Sequence, residues 1–234
     1  MTFRPTEARR IALQLSNNQS DAAGLVDSFV QICVFLNEHP ESFAKRSSKS
    51  QELTLETAQL ERLAQQYFNK YRQSNFPRPP HTVPDSAVSM VLAEAFGYTQ
   101  RDVDRIKQEH QHAMAAENCV GALLERYIDS VLRPHGWSWN CGDFIRAIDF
   151  INRDQNGQWL TLQIKNRDNS ENSSSSAIRI GTTIQKWFRS FSRTGATNWD
   201  GLPDLMRGYN LSKQGFMQFI RTYLQREQQR LQGR

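Results

Sequence analysis

The sequence predicts an α/β fold, with a central sheet flanked by helices and an N-terminal helical region before it. Apolar residues recur at helical spacing from residue 6 to about residue 74, and again from residue 86 to residue 132. Four prolines within residues 76–84 exclude a helix there, because proline lacks a backbone donor and fixes φ. Two segments near residue 150 show the alternation that is typical of strands.

This pattern divides the chain into three regions, namely helical residues 1–75, a proline-rich linker at 76–85, and a core domain with basic C-terminal helices at 86–234. Thr6 opens the first helix, and Ser20 with Asp21 caps the second. After the linker, the helices are predicted at Ser86–Gly97, Thr99–Ala115 and Ala116–Leu132.

A β-hairpin is predicted from Phe144–Ile151 and Trp159–Lys165, two alternating segments on either side of Asn156-Gly157. A three-residue loop, residues 155–157, places Gly157 in the left-handed conformation that such loops require. This loop length also fixes which residues of the two strands pair.

The register separates apolar side chains from polar ones, because residues on one strand alternate between the two faces. Its apolar face is formed by the pairs Ile148–Ile164 and Phe150–Leu162. Its other face is formed by the pairs Asp149–Gln163 and Ala147–Lys165.

Composition narrows the function classes without fixing one. From Lys186 to the end, nine basic residues stand against three acidic ones, an excess of +6. This suits a polyanionic partner, although a solvated helix face is the alternative. Three separated cysteines without a CxxC pair argue against a zinc site or a disulfide framework. The sequence shows neither a signal peptide nor a long apolar run, so we expect a cytoplasmic protein without a membrane anchor.

Three residues of the polar hairpin face suit metal-dependent phosphodiester hydrolysis. That reaction needs oxygen ligands for Mg²⁺, a way to activate water, and a cation near the developing negative charge. Asp149 can supply the central carboxylate. Gln163 can direct its amide oxygen to the metal, and Lys165, on the same face, can assist the water or stabilise the charge.

A second acid can come from the helix before the hairpin. Glu117 and Glu125 both lie along the edge of its apolar stripe, with Gly121 between them. We expect Gly121 to let the helix approach the sheet closely and to deliver Glu125 to the metal, with Glu117 as the alternative acid. Taken singly, Asp149 and Glu125 also fit ordinary ion pairs, and Lys165 fits an edge-strand charge. Their combination favours an active site.

The order of these residues resembles the PD-(D/E)XK nuclease core, in which a helix acid and a strand Asp precede an acid-x-Lys motif. A narrower resemblance, to restriction endonucleases of the SinI/AvaII type, is carried by Val120–Tyr127, Arg146–Phe150 and Gln163–Ser176. The likeness covers residues 117–189. Two positions depart from the common motif, since Ile148 stands where a proline is usual and Gln163 where an acid is usual.

The resemblance implies a restriction-endonuclease-like fold with a mixed central sheet, and a type II restriction enzyme acting as a homodimer. It also implies cleavage of double-stranded DNA at the palindromic site GGWCC, where W is A or T, with Mg²⁺ and without an organic cofactor. The implied catalytic and metal-binding residues are Glu125, Asp149, Gln163 and Lys165, with Ile164 also at the metal.

Polar residues after Lys165 suit contacts with DNA. Arginine pairs well with guanine, asparagine with adenine, and acids accept from the cytosine amino group. The candidates for base readout are therefore Arg167, Asp168, Asn169 and Asn172, with a plain polar loop as the alternative. The candidates for phosphate contacts are Arg179, Lys186 and Arg189, of which Arg179 also suits guanine.

Two other functions fit parts of the sequence. Residues 93–106 have a helix-turn-helix outline with a glycine in the turn, which favours a DNA-binding regulator without catalysis. A structure-specific repair nuclease with the same core is the third candidate. Digestion of plasmid DNA with and without Mg²⁺ distinguishes all three.

Overall fold

The structure is a computed structural model and describes residues 3–16, 22–44, 53–78, 85–168 and 182–233. Its α-helices are α1 (Pro5–Ser16), α2 (Ala22–Glu38), α3 (Thr57–Arg72), α4 (Ser86–Phe96), α5 (Gln100–Leu132) and α6 (Lys213–Gln232). Its strands are β1 (Ser138–Trp139), β2 (Phe150–Arg153), β3 (Trp159–Arg167) and β4 (Gln185–Ser190). The predicted residues that lie outside the described ranges are Ser20, Asp21, Asn169, Asn172 and Arg179.

Helices α1, α2 and α3 pack around an aromatic cluster. The ring centroid of Phe29 in α2 lies 5.6 Å from that of Tyr67 in α3, and Tyr67 lies 5.3 Å from Phe68. All three rings are buried, as are Ile11 and Leu60. Removal of this apolar surface from water stabilises the three helices together. The helices predicted within residues 6–74 are confirmed for the described residues.

The described chain forms two compact units. The first comprises Met1–Gln73 with Leu124–Phe219, and the second comprises Ser74–Leu123 with Ile220–Arg234. The N-terminal helices and the sheet therefore belong to one unit. The predicted division into 1–75, 76–85 and 86–234 stays a prediction about the organisation of the sequence.

Helices α4 and α5 form a hairpin in the second unit. Asp85 accepts a hydrogen bond from the backbone of Ala87 and so caps α4, and Gly97 ends it at φ 70°. Lys107 Nζ of α5 donates to Ser89 Oγ at 2.7 Å. The prediction of two helices within residues 99–132 is wrong, since α5 is continuous there. Its middle contains no glycine or proline before residue 121, and alanines continue a helix well.

The four strands form one mixed sheet in the order β1-β2-β3-β4. The pairs β1–β2 and β2–β3 are antiparallel, and the pair β3–β4 is parallel. Phe150 pairs with Leu162, as the predicted register requires. Gly157 has φ 79°, so the left-handed loop position is confirmed. The predicted α/β fold with a mixed central sheet flanked by helices is therefore confirmed.

The predicted strand Phe144–Ile151 is wrong for residues 144–149, because β2 begins only at Phe150. Asp143 and Ala147 have φ of 55° and 57°, a left-handed conformation that interrupts an extended strand. The expected pairs of Ala147, Ile148 and Asp149 with β3 are therefore absent from the described ladder.

The sequence analysis missed strands β1 and β4. The basic segment predicted to be helical begins as β4, which carries Lys186 and Arg189, and becomes helical only in α6. Trp187 of β4 is buried and its ring centroid lies 5.0 Å from that of Trp199, which in turn lies 6.0 Å from that of Phe216 in α6. Among the described helices, none is both long and apolar enough to cross a membrane.

Candidate active site

Asp149 forms two hydrogen bonds with the main chain of strand β3. Its backbone N donates to Leu162 O at 2.8 Å, and its side-chain Oδ2 accepts from Ile164 N at 2.6 Å. The second bond occupies a main-chain donor between Gln163 and Lys165. The structure thus brings Asp149 to the motif on β3, although not through the predicted strand pairing.

Glu125 reaches the same place from helix α5. Trp139 Nε1 of β1 donates to Glu125 Oε2 at 2.9 Å. The charge of Asp149 acts on Glu125, whereas Glu117 is exposed, so Glu125 is the better candidate for the helix acid. The expected role of Gly121 is wrong, because a Cβ there would meet nothing within 4 Å. No close approach of the helix at Gly121 is needed.

The charges of Asp149 and Lys165 both act on Glu125. Burial raises the pKa of Glu125, and repulsion from Asp149 raises it further, while Lys165 lowers it in part. Burial likewise raises the pKa of Asp149, and the bond from Ile164 N and the charge of Lys165 oppose that rise. Two carboxyl groups that disfavour ionisation together form a site that a cation would stabilise.

Asp143 is a residue that the sequence analysis missed. Its negative charge raises the pKa of both Glu125 and Asp149, so it adds to the electrostatic potential of the site. It lies in a left-handed conformation at φ 55°. The sequence carried no signal for this placement, because the preceding turn is also held from a distant part of the chain, where Gln66 Nε2 donates to Gly142 O at 2.6 Å.

The side chain of Gln163 on β3 carries a buried amide oxygen. The side chain is 1% exposed, and among the described residues its Oε1 has no hydrogen-bond partner. A buried acceptor without a partner costs about 1–3 kcal/mol. Such an oxygen is accounted for if a cation binds it.

The donors present fit a hard divalent cation. Among the described residues, no cluster contains three or more His, Cys, Asp or Glu side chains that could hold a metal ion by themselves. Oxygens from Glu125, Asp149 and Gln163, with the main-chain oxygen of Ile164, make an oxygen-only set of the kind that Mg²⁺ prefers.

Lys165 does not occupy an edge strand. Strand β3 lies between β2 and β4, and Lys165 pairs with Phe188 of β4. The interpretation of Lys165 as an edge-strand charge is therefore wrong. Its positive charge opposes the rise in the pKa of both Glu125 and Asp149.

Basic residues lie along the paired strands β3 and β4. Arg167 is the exposed last residue of β3. Arg189 Nε of β4 donates to Asn166 Oδ1 at 2.8 Å, and burial and the charge of Arg167 lower the pKa of Arg189. Lys186 pairs with Gln163 across the two strands.

Asp168, the residue after β3, forms hydrogen bonds with the end of β4 and the turn after it. Its Oδ1 accepts from Ser192 N at 2.8 Å, and its backbone N donates to Ser190 O at 3.2 Å. These bonds tie the turn after β3 to the turn after β4. Base readout by Asp168 stays a prediction, whereas a contribution to the position of Arg167 has direct geometric support.

Comparison with known proteins identifies the chain. The SinI restriction endonuclease family matches residues 8–226. The type II restriction enzyme Eco47I of Escherichia coli is 45% identical over 217 residues, which cover 91% of this chain and 94% of that protein. The type II restriction enzyme SinI of Salmonella infantis is 45% identical over 204 residues, which cover 86% and 88% of the two chains.

The mixed sheet, the acid-rich site at its centre and these likenesses define a type II restriction endonuclease. The chain belongs to the SinI restriction endonuclease family. The resemblance inferred from the helix acid, the hairpin and the segment after Lys165 is thereby confirmed.

Glu125→Gln is expected to stabilise the metal-free protein at high pH. The folded pKa of Glu125 lies above its ordinary value of 4.5, so the folded protein retains a proton that the unfolded chain releases. The free energy of unfolding therefore falls as pH rises above that value. Glutamine keeps an acceptor for Trp139 without the charge. We expect a gain of roughly 1–3 kcal/mol at about pH 9 and none near pH 4, measured by urea unfolding with a chelator.

The control for this variant is Glu61→Gln, the same replacement at an exposed position of α3, which should not stabilise the protein at about pH 9. An equal gain from Glu125→Gln at both pH values would contradict a raised pKa at this site.

Proposed function

We propose that the protein hydrolyses phosphodiester bonds of double-stranded DNA at GGWCC, with Mg²⁺ bound by Glu125, Asp149, Gln163 and the main-chain oxygen of Ile164. The observation that carries the metal site is the buried Oε1 of Gln163, which has no partner among the described residues and lies on the same strand as Lys165. The GGWCC site rests on the resemblance to the SinI/AvaII type.

The residues of the site divide the work of hydrolysis. Bound Mg²⁺ would supply Lewis acidity and lower the pKa of a water molecule. Asp149 and Glu125 hold negative charge against the cation, and Trp139 and Ile164 keep those carboxylates oriented. Lys165 donates hydrogen bonds to the attacking oxygen or to the phosphate as negative charge develops.

DNA contacts follow from the placement of the basic residues. Arg167 stands two residues beyond Lys165 at the exposed end of β3, within reach of base edges beside the cut. Arg189 is held by Asn166 and its guanidinium lies 5.6 Å from the ring centroid of Phe216, and Lys186 lies next to Gln163. We assign guanine readout to Arg167 and phosphate contacts to Lys186 and Arg189.

The regulator remains the second candidate because its helix-turn-helix outline is present. Helix α4, the left-handed Gly97 and helix α5 follow each other in the order of a helix-turn-helix motif. Family membership favours the endonuclease. A regulator would bind plasmid and leave it intact, and a repair nuclease would produce smears or cut only branched DNA.

Asp149→Ala and Lys165→Ala are each expected to lower single-turnover cleavage about 10²-fold or more, because each removes one positioned catalytic group. Plasmid carrying one GGWCC site should give one discrete product with Mg²⁺ and remain intact with chelator. Binding of a site-containing duplex, measured by fluorescence anisotropy, should persist in both variants.

Gln163 provides the matched control in the same assay. Gln163→Glu keeps an oxygen ligand and should retain Mg²⁺-dependent cutting, whereas Gln163→Leu removes it and should cut more slowly. The reverse ranking would argue against a role of Gln163 at the metal. Near-normal cleavage by Asp149→Ala would place the active site elsewhere.

Arg167→Ala is expected to erode discrimination between GGWCC and one-base variants by about 1–3 kcal/mol, the scale of one lost bidentate contact with guanine. Lys186→Ala should weaken all duplexes alike and reduce the dependence of affinity on salt. Both are measured on a panel of single-substitution duplexes at fixed salt. An equal loss across the panel for Arg167→Ala would return Arg167 to a phosphate contact or a scaffold role.

A two-fold symmetric DNA site calls for a homodimer, in which each copy cuts one strand. Helix α4 offers the pairing surface. Of ten large apolar side chains that are exposed among the described residues, six lie within residues 88–114, from Tyr98 at 43% to Met90 at 69%. Ser89 faces Lys107 of α5, which turns Val91 to the outside. Covering this surface in two copies buries on the order of 1,000 Å², near the lower bound of stable interfaces.

Val91→Glu is expected to convert the dimer to a monomer in sedimentation velocity, because a charge would be buried at the centre of that surface. Cleavage of both strands should fall at least about tenfold as the dimer is lost. Leu13→Glu, at an exposed apolar position of α1, is the control and should remain dimeric. A dimer that survives Val91→Glu would exclude this interface.

A further inference from the structure

Trp139, the last residue of β1, and Asn140, which follows it, each form a hydrogen bond with one acid of the proposed metal site. Trp139 Nε1 donates to Glu125 Oε2 at 2.9 Å, and Asn140 N donates to Asp149 O at 2.8 Å. We propose that Trp139 and Asn140 are positioning residues that set the separation of the two carboxylates for one divalent cation. The inference rests on the proposed function.

Trp139 is fixed on three sides, so its donor cannot turn away. The indole is 7% exposed and stacks on Phe150, with ring centroids 6.5 Å apart. The Tyr71 ring meets it edge-on at 6.0 Å, and the guanidinium of Arg126 lies 5.4 Å from its centroid. Because the indole N–H engages Oε2 of Glu125, the other oxygen can face a cation.

Asn140 closes the loop that leads to Asp149. Its side chain is buried, and Nδ2 donates to Ile145 O at 3.1 Å and to Ile148 O at 2.7 Å. Its Oδ1 accepts from Phe144 N at 3.0 Å. With the backbone bond to Asp149, one residue therefore fixes both the beginning and the end of the loop.

The loop needs this closure because its backbone is costly. Asp143 and Ala147 adopt φ of 55° and 57°, a conformation that costs a residue with a Cβ about 1–2 kcal/mol. Such backbone persists only where its surroundings over-determine it. In addition, Glu125 and Asp149 repel each other when both are ionised, so without restraints they would move apart.

Trp139→Phe removes the indole donor and keeps an aromatic ring, and Asn140→Ala removes three side-chain hydrogen bonds. Each is expected to bind Mg²⁺ about tenfold more weakly in calorimetry of the full-length protein, the usual scale for losing an outer-shell partner of a metal ligand. The single-turnover cleavage rate should fall at a fixed subsaturating Mg²⁺ concentration and recover in part at high Mg²⁺. Affinity for a GGWCC duplex in chelator should stay unchanged.

The chain contains a matched control for each variant. Trp159 Nε1 donates to Glu38 Oε2 at 2.7 Å, and Asn198 Nδ2 donates to Phe188 O at 3.0 Å. Trp159→Phe and Asn198→Ala therefore remove the same kinds of bond elsewhere and should leave Mg²⁺ affinity unchanged.

If Trp139→Phe and Asn140→Ala lower only the unfolding temperature, with Mg²⁺ affinity equal to that of the controls, the residues are structural and the inference is wrong. If Asn140→Ala does not fold, Trp139→Phe decides the outcome alone. Glu125→Ala and Asp149→Ala separate the two levels of proposal. Normal Mg²⁺ binding and cleavage by these two variants would overturn the proposed function, and this inference with it.

Discussion

The hydrogen bond from Ile164 N to Asp149 Oδ2 is the constraint on which the geometry of the site depends. Strand β2 starts one residue after Asp149, so no regular strand pairing fixes that carboxylate. Instead the side chain accepts from the main chain of β3, between Gln163 and Lys165. Hydrogen bonds to a carboxylate are among the stronger ones in proteins. This hydrogen bond therefore holds Asp149 directly against the β3 motif, because Ile164 lies between Gln163 and Lys165 on that strand.

The parts of the fold that were predicted correctly depend on neighbours in sequence. The Asn156-Gly157 turn fixes the register of β2 and β3, and the structure reproduces it. The irregular approach to Asp149 could not be predicted in the same way. Alanine at position 147 carries no signal for a left-handed residue, and the restraint on that loop comes from Asn140, seven residues earlier. Strand β4 was missed because it pairs in parallel with β3 across a long connection, so no tight turn marks the pairing in the sequence.

Candidate site residues show the same division. The spacing of Gln163 and Lys165 on one strand placed both correctly on β3. The helix acid was ambiguous, because Glu117 and Glu125 share one edge of the same helix, and only the contact with Trp139 and the effect of Asp149 single out Glu125. Asp143 was not predicted at all. It acts on Glu125 and Asp149 only because the chain between Asp143 and Asp149 forms a loop, where the sequence pattern predicts a strand.

The polar groups of the proposed metal site cost the fold stability, which a bound cation would restore. Two buried acids with raised pKa lower the stability of the protein without a cation, and so does the amide oxygen of Gln163, which has no partner among the described residues. A cation that binds only the folded state would relieve these unfavourable interactions, and the free energy recovered would add to its binding affinity. The repulsion between the carboxylates adds to the affinity for a cation only if the empty site is rigid. Carboxylates that could rotate apart would relieve their repulsion without a cation. The buried Trp139 and Asn140 meet that requirement, so rigidity around the acids is the condition under which their mutual repulsion favours metal binding.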